Sequence, residues 1–224
     1  MKILLPLIFG MLLAAACTSR SEVFTLQPGD LLFQDLDCGP YCDAIEKVTT
    51  GYRGAKFSHM GMVVKAPEAA HGLYVIEAVG RGVVLTPLDS FLHRSADEEG
   101  TSKVVVGRLQ PEYSHLIEDA VKEALALQNK PYDPVYDITD DAYYCSEMIY
   151  EAFRRANQST PFFAAAPMTF VDPDTHQTFP VWETYFADLG VPIPEGEPGI
   201  NPGLISRSDQ LDIVHMYGVP EGWE

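Results

Sequence analysis

Tyr143-Tyr144-Cys145-Ser146-Glu147-Met148-Ile149-Tyr150-Glu151-Ala152-Phe153 sets one cysteine where a loop turns into an amphipathic helix. From Cys145 onward, Met148, Ile149, Ala152, Phe153 and Ala156 recur at helical spacing with charges between them, which predicts a helix with one buried face. The first turn of a helix leaves N–H groups unpaired and carries partial positive charge, so it favours thiolate over thiol. Two readings of Cys145 stand side by side: a nucleophile, or a core residue, since free cysteine is among the most buried residue types.

Upstream, Lys130-Pro131-Tyr132-Asp133-Pro134 ends a helix predicted between Glu112 and Gln128, where Leu116, Ile117, Ala120, Val121, Ala124 and Leu125 repeat and Glu118 and Lys122 form an i,i+4 pair. Further back lie runs of strand character bounded by glycine, proline or charge: Asp30 to Gln34, His59 to Val64, Tyr74 to Val79, Val83 to Thr86 and Val104 to Leu109. Ala44 to Thr49 suits a short helix. Downstream, Trp182 to Leu189 suits a helix, Pro192 to Pro202 a loop and Leu211 to Met216 a closing strand. No repeat or coiled-coil heptad is present, and the order of elements predicts one α+β domain over residues 28–224.

A thiolate nucleophile needs a base to take its proton and a third group to orient that base. Among six histidines, His59 opens the apolar strand Phe57-Ser58-His59-Met60-Gly61-Met62-Val63-Val64, and Gly61 leaves room for a close approach. His71, His93, His115 and His176 lie in polar or loop surroundings, and His215 falls on the last strand. In Leu73-Tyr74-Val75-Ile76-Glu77-Ala78-Val79, alternation puts Glu77 on one face with Leu73, Val75 and Val79. A carboxylate on an apolar face is costly unless paired, and pairing with His59 would fix the imidazole tautomer. The plainer readings are a structural histidine and an edge glutamate facing water.

The amino terminus runs Met1-Lys2 and then an apolar stretch from Ile3 to Ala16, ending Leu13-Ala14-Ala15-Ala16-Cys17. One positive charge, a short apolar core and small residues before a break predict a secretory signal peptide over residues 1–16. The run falls short of the roughly 20 residues of a membrane-spanning helix. Small residues before Cys17 resemble the bacterial lipobox, with Ala14 where leucine is usual. The resemblance implies lipidation of Cys17, a tether over residues 17–27 and an envelope location, at the outer membrane in a Gram-negative host. In an oxidising compartment the close pair Cys38 and Cys42 favours a disulfide, which leaves Cys145 as a lone thiol. The rival reading of that pair is a metal clip or redox motif, and no second Cys/His pair at zinc spacing accompanies it.

A formal net charge of −17 argues against nucleic-acid partners and against a polybasic grip on anionic lipids. Hydrophobic content of 46% is ample for one core.

Gly29-Asp30-Leu31-Leu32-Phe33-Gln34, Ser58-His59-Met60-Gly61, Val75-Ile76-Glu77-Ala78, Lys130-Pro131-Tyr132-Asp133 and Tyr144-Cys145-Ser146-Glu147 follow one another in this order. The set resembles the YiiX/YebB-like branch of the NlpC-type cysteine hydrolases, whose papain-like fold is circularly permuted. The likeness runs over residues 28 to 156, and the permutation accounts for histidine and glutamate preceding the cysteine. It implies an antiparallel sheet packed with helices, Cys145 as nucleophile, His59 as general base, Glu77 as its orienting group and Tyr144 as a residue shaping the oxyanion site. The segment between Gln34 and Ser58, with Cys38 and Cys42, departs from the family and is expected at a cleft edge. The implied activity is hydrolysis of amide bonds in cell-wall peptides or amino-acid amides through a thioacyl-enzyme, with no metal or organic cofactor. Three alternatives remain: a lipid acyl hydrolase or acyltransferase, a non-catalytic envelope lipoprotein that binds peptide or lipid, and a metal site built from His59, Glu77 and Cys145.

Overall fold

Alternating apolar residues build one mixed-length antiparallel sheet in a computed structural model that describes residues 24–65 and 72–224. In chain order the elements are β1 (Leu31–Gln34), α1 (Pro40–Val48), β2 (His59–Val64), β3 (Tyr74–Val79), β4 (Gly82–Pro87), α2 (Leu88–His93), β5 (Val104–Leu109), α3 (Ile117–Ala126), α4 (Cys145–Ala156), β6 (Ala166–Pro167), α5 (Pro180–Leu189), β7 (Pro198–Gly199), α6 (Pro202–Ser206) and β8 (Leu211–Met216). Six strands form the main sheet in the order β4-β3-β2-β1-β5-β8, every neighbouring pair antiparallel. The expected signal peptide, Cys17 with its expected lipidation, and His71 lie outside the described residues.

The period-2 alternation splits the sheet into two faces. Leu31, Phe33, Met60, Met62, Ile76 and Ala78 join Ala120 and Ala124 of α3 and Met148, Ile149, Ala152 and Phe153 of α4 in the larger core. Leu32, Val63, Val75, Val104 and Val106 pack on the other face with Phe91 of α2 and with Leu26. Each fully buried aliphatic or aromatic side chain here contributes about 1.5–3 kcal/mol. Strand parity places Gln34, His59, Glu77 and Thr86 on this second face, on four consecutive strands.

Most expected elements are present, and the differences have local causes. The helix expected from Glu112 begins as a 3₁₀ turn over Pro111–Leu116. Pro111 opens it, and Ser114 Oγ donates to the Pro111 carbonyl at 2.7 Å, a local bond that competes with the helical ladder. The loop expected over 192–202 contains β7, which pairs with β6. α2 and α6 are too short to show a hydrophobic period. Residues at the end of the expected tether are packed: Phe24 stacks on His215 with ring centroids 4.2 Å apart, and Leu26 is buried. The folded body therefore reaches back at least to Phe24.

The carboxy-terminal third does more than close the sheet. Phe170, Trp182 and Phe186 form an aromatic cluster with Ala44 of α1, and Tyr41, Ile45 and Tyr136 pack against it. That cluster ties α1 to α5 and builds a wall facing the start of α4.

Candidate active site

The chain turns into α4 at Tyr144, which is extended at φ −89° and ψ 174°, so Cys145 is the first helical residue. Glu147 reaches back to accept from the Tyr144 N–H at 3.2 Å. Both backbone groups of Ile200 are clamped here: its N–H donates to Tyr144 Oη at 2.9 Å, and its carbonyl accepts from Ser146 Oγ at 3.0 Å. Cys145 is thereby held half-buried at the helix start, and it is the one free cysteine among the described residues.

His59 opens β2 opposite Gln34 of β1. Its ring neighbours Cys145 on the cleft lining, and Nε2 lies 2.6 Å from Glu77 Oε2. Glu77 is wholly buried, and it is not left to His59 alone. Thr86 Oγ1 donates to Oε1, and Arg94 donates to both carboxylate oxygens, at 2.6 Å to Oε2 and 3.2 Å to Oε1. Arg94 also donates to Gln34 Oε1 at 3.1 Å, and Gln34 Nε2 donates to the Phe91 carbonyl at 2.7 Å. This fork-to-carboxylate geometry fixes orientation as well as charge. Gly61 makes room for it: a Cβ there would sit 2.5 Å from Val75 Cγ1, 2.9 Å from the Ile76 carbonyl oxygen and 3.3 Å from Glu77 Cβ.

The electrostatics follow from these contacts. Burial opposes charge on all three groups. For His59 the bonds to Cys145 and Glu77 overcome burial and raise its pKa to about 9. For Glu77 burial is outweighed by His59 and Arg94, which hold it at about 2. For Cys145 burial is outweighed by His59, helped by the Met60 and Ser146 backbone, and the thiol is lowered. A thiolate–imidazolium pair is the arrangement that these contacts favour.

The three residues that the sequence singled out for catalysis thus form one chain, Cys145–His59–Glu77, and Tyr144 adjoins it. Cys38 and Cys42 are joined in a disulfide. That disulfide and α1 line one side of a cleft of about 370 Å³ whose floor carries Cys145 and His59. Sequence reading gave no role to Arg94, Thr86 or Gln34, although Gln34 ends the first of the five motifs. A period-2 reading of Val83 to Thr86 would have put Thr86 on the face of Glu77, but nothing local marks Arg94.

The family model described as permuted papain-like amidase enzyme, YaeF/YiiX, C92 family, matches residues 25–215. The chain belongs to this family. Over 133 residues it is 32% identical to the protein YiiX of Escherichia coli strain K12, a match that covers 58% of each chain. The crystal structure of metalloprotein YiiX from Escherichia coli O157:H7 superposes with a TM-score of 0.69 at 27% identity, covering 87% of this chain and 98% of that one. The fold is accordingly the permuted papain-like α+β fold, with α4 packed against β2 and β3.

Proposed function

We propose that this family member hydrolyses amide bonds through a Cys145 thioacyl-enzyme, with His59 as acid and base and Glu77 as its orienting group. The observation that carries the reading is the continuous chain from a thiol at a helix start, through His59, to a buried carboxylate held by Arg94. The Cys145 thiolate adds to the amide carbonyl, and the electron pair moves to the carbonyl oxygen. The Cys145 N–H at the helix start, which has no acceptor among the described residues, is one donor for that oxyanion. Tyr144 is the other: its hydroxyl oxygen accepts from Ile200 N–H, and among the described residues its own hydrogen has no acceptor. The C–N bond then breaks as the His59 imidazolium gives its proton to the departing nitrogen. Water adds to the thioester while neutral His59 takes its proton, the C–S bond breaks, and the acid leaves with the ion pair restored.

The substrates in view are peptidoglycan-type peptides or amino-acid amides at the cell envelope, where Cys17 would tether the protein by lipid. Among the described residues no helix is long and apolar enough to cross a membrane. The YiiX structure is that of a metalloprotein. Here His59 Nε2 and both Glu77 oxygens are engaged, and the described residues offer no group of three or more His, Cys, Asp or Glu arranged around a metal. The donor set does not fit a metal, and the steps above run through side chains alone.

The apolar lining of the cleft, with Ile45, Val48, Met168 and Phe170, also favours a second reading, lipid acyl hydrolysis. Purified protein is to be assayed against lysine- or diaminopimelate-containing peptides and, in parallel, phospholipid vesicles. Peptide cleavage lost in Cys145→Ala supports the amidase; a Cys145→Ala protein that retains full hydrolysis refutes the mechanism.

A further inference from the structure

We propose that the cleft takes a peptide-like amide that is apolar along most of its length and carries a carboxylate, and that Arg207 selects for that negative charge. The proposal rests on the amidase reading and adds to it the charge of the substrate.

The chain holds 32 acidic and 15 basic residues, yet no aspartate or glutamate is among the described residues that line the cleft. Apart from the Cys145–His59 pair, the charge on that lining is a single guanidinium, Arg207. It is exposed, and among the described residues its side chain has no hydrogen bond, ion pair or ring contact. Lys47, Lys56, Arg94, Lys103, Arg108, Lys130, Arg154 and Arg155 all meet carboxylates; of the described basic residues that do not, Arg207 alone lines the cleft. In so acidic a protein an arginine left free on the cleft that holds the reactive thiol is a donor fork without an acceptor.

Its base is rigid. Arg207 closes α6, with its N–H donating to the Leu204 and Ile205 carbonyls. The start of α6 is capped by Asn201, whose Oδ1 accepts from Leu204 N at 2.7 Å and whose Nδ2 donates to Thr49 Oγ1 at 2.9 Å. The guanidinium therefore projects from an element pinned to the end of α1. Much of the remaining lining is apolar or aromatic, with Tyr41, Ile45, Phe170 and Trp182. A carboxylate meets a matching fork there, whereas an ammonium meets no counter-charge and faces both Arg207 and the imidazolium.

The test uses the full chain and alkylation of Cys145, read by mass spectrometry of its peptide so that other thiols do not contribute. Three chloroacetyl-Ala-Phe probes ending in carboxylate, carboxamide or an aminoethyl amide are compared, each rate divided by that of iodoacetamide on the same protein. The expected order is carboxylate, carboxamide, ammonium, with the first pair separated by on the order of tenfold. Arg207→Gln is expected to merge the three rates, and Arg207→Lys to restore part of the preference. Equal rates in the wild-type chain, a preference for ammonium, or an order unchanged in Arg207→Gln would each overturn the proposal. The iodoacetamide reference separates the two failures. Slow, ordinary-thiol labelling by iodoacetamide sinks the amidase reading, and fast labelling without a charge preference sinks only the role of Arg207.

Discussion

His59→Ala should cut the alkylation of Cys145 by iodoacetamide at pH 6.5 and leave it intact or faster in alkali. The variant remains foldable on structural grounds, because Arg94 and Thr86 still satisfy Glu77. In the wild-type chain the thiolate–imidazolium pair persists from the lowered Cys145 pKa up to about 9, where His59 loses its proton. Without His59, the burial that raises the thiol has no counterweight of comparable size. A thiol at the reference value of about 8.5 is roughly 1% ionised at pH 6.5, a loss of about 100-fold in thiolate. The thiolate that remains is more basic and hence more nucleophilic, with a Brønsted slope of about 0.4–0.5, which returns roughly half of that loss on a logarithmic scale. The net fall at pH 6.5 is therefore roughly tenfold. It should vanish, and the order reverse, above pH 9. Stopped-flow or quenched alkylation followed by peptide mapping of Cys145 reads both limbs. Superimposable rate–pH profiles for the two proteins would refute the ion pair.

Glu77→Gln should lower the pKa of His59 and bring the alkaline limb of Cys145 reactivity to lower pH, because the carboxylate that supports the imidazolium is gone; an unmoved limb would deny Glu77 its orienting role. The same substitution tests linkage. The folded pKa of Glu77, about 2, is depressed below its reference of 4.5, so its contribution is present above 4.5 and lost as pH falls through about 2. That shift corresponds to roughly 3 kcal/mol, and denaturant titrations should show a shallower loss of stability in Glu77→Gln over that window. Gly61→Ala should destabilise the fold by about 1–3 kcal/mol through overpacking against Val75 and the Ile76 carbonyl; thermal melts matching the wild type would contradict the close approach of β3. Burial raises Glu147 to about 9, so the folded state holds its proton where the unfolded state releases it, and stability falls as pH rises from 4.5 through 9. Glu147→Gln should therefore be more stable than the wild-type chain at pH 8 by urea unfolding, and an equal or lower midpoint there would overturn that account.

Several features were legible locally because their signal is local. Strand alternation gave His59–Val64, Tyr74–Val79, Val104–Leu109 and Leu211–Met216 at their observed bounds, and helical spacing after Cys145 gave Cys145–Ala156. Residue parity in β3 put Glu77 on the face of Val75, where it lies. The ordered motifs around His59, Glu77 and Cys145 pointed to the family that the comparison shows. What encodes these is the period of the backbone, which one stretch of chain carries by itself.

Partnership across the chain is another matter. Glu77 meets Arg94 and Thr86, and Arg94 meets Gln34 sixty residues away, because the order β4-β3-β2-β1 and the short α2 carry them to one corner. Arg207 reaches the cleft because α6 is pinned beside α1, more than one hundred and fifty residues earlier. Neither a propensity nor a spacing distinguishes those arginines from the ones that form ordinary surface ion pairs. The sequence alone determined which segments form strands and helices and which three side chains were chemically apt. The tertiary structure decided which charges lie close enough, and far enough from water, to hold the thiol, histidine and carboxylate in their ionised forms, because electrostatic coupling depends on distance through space and on burial rather than on position along the chain.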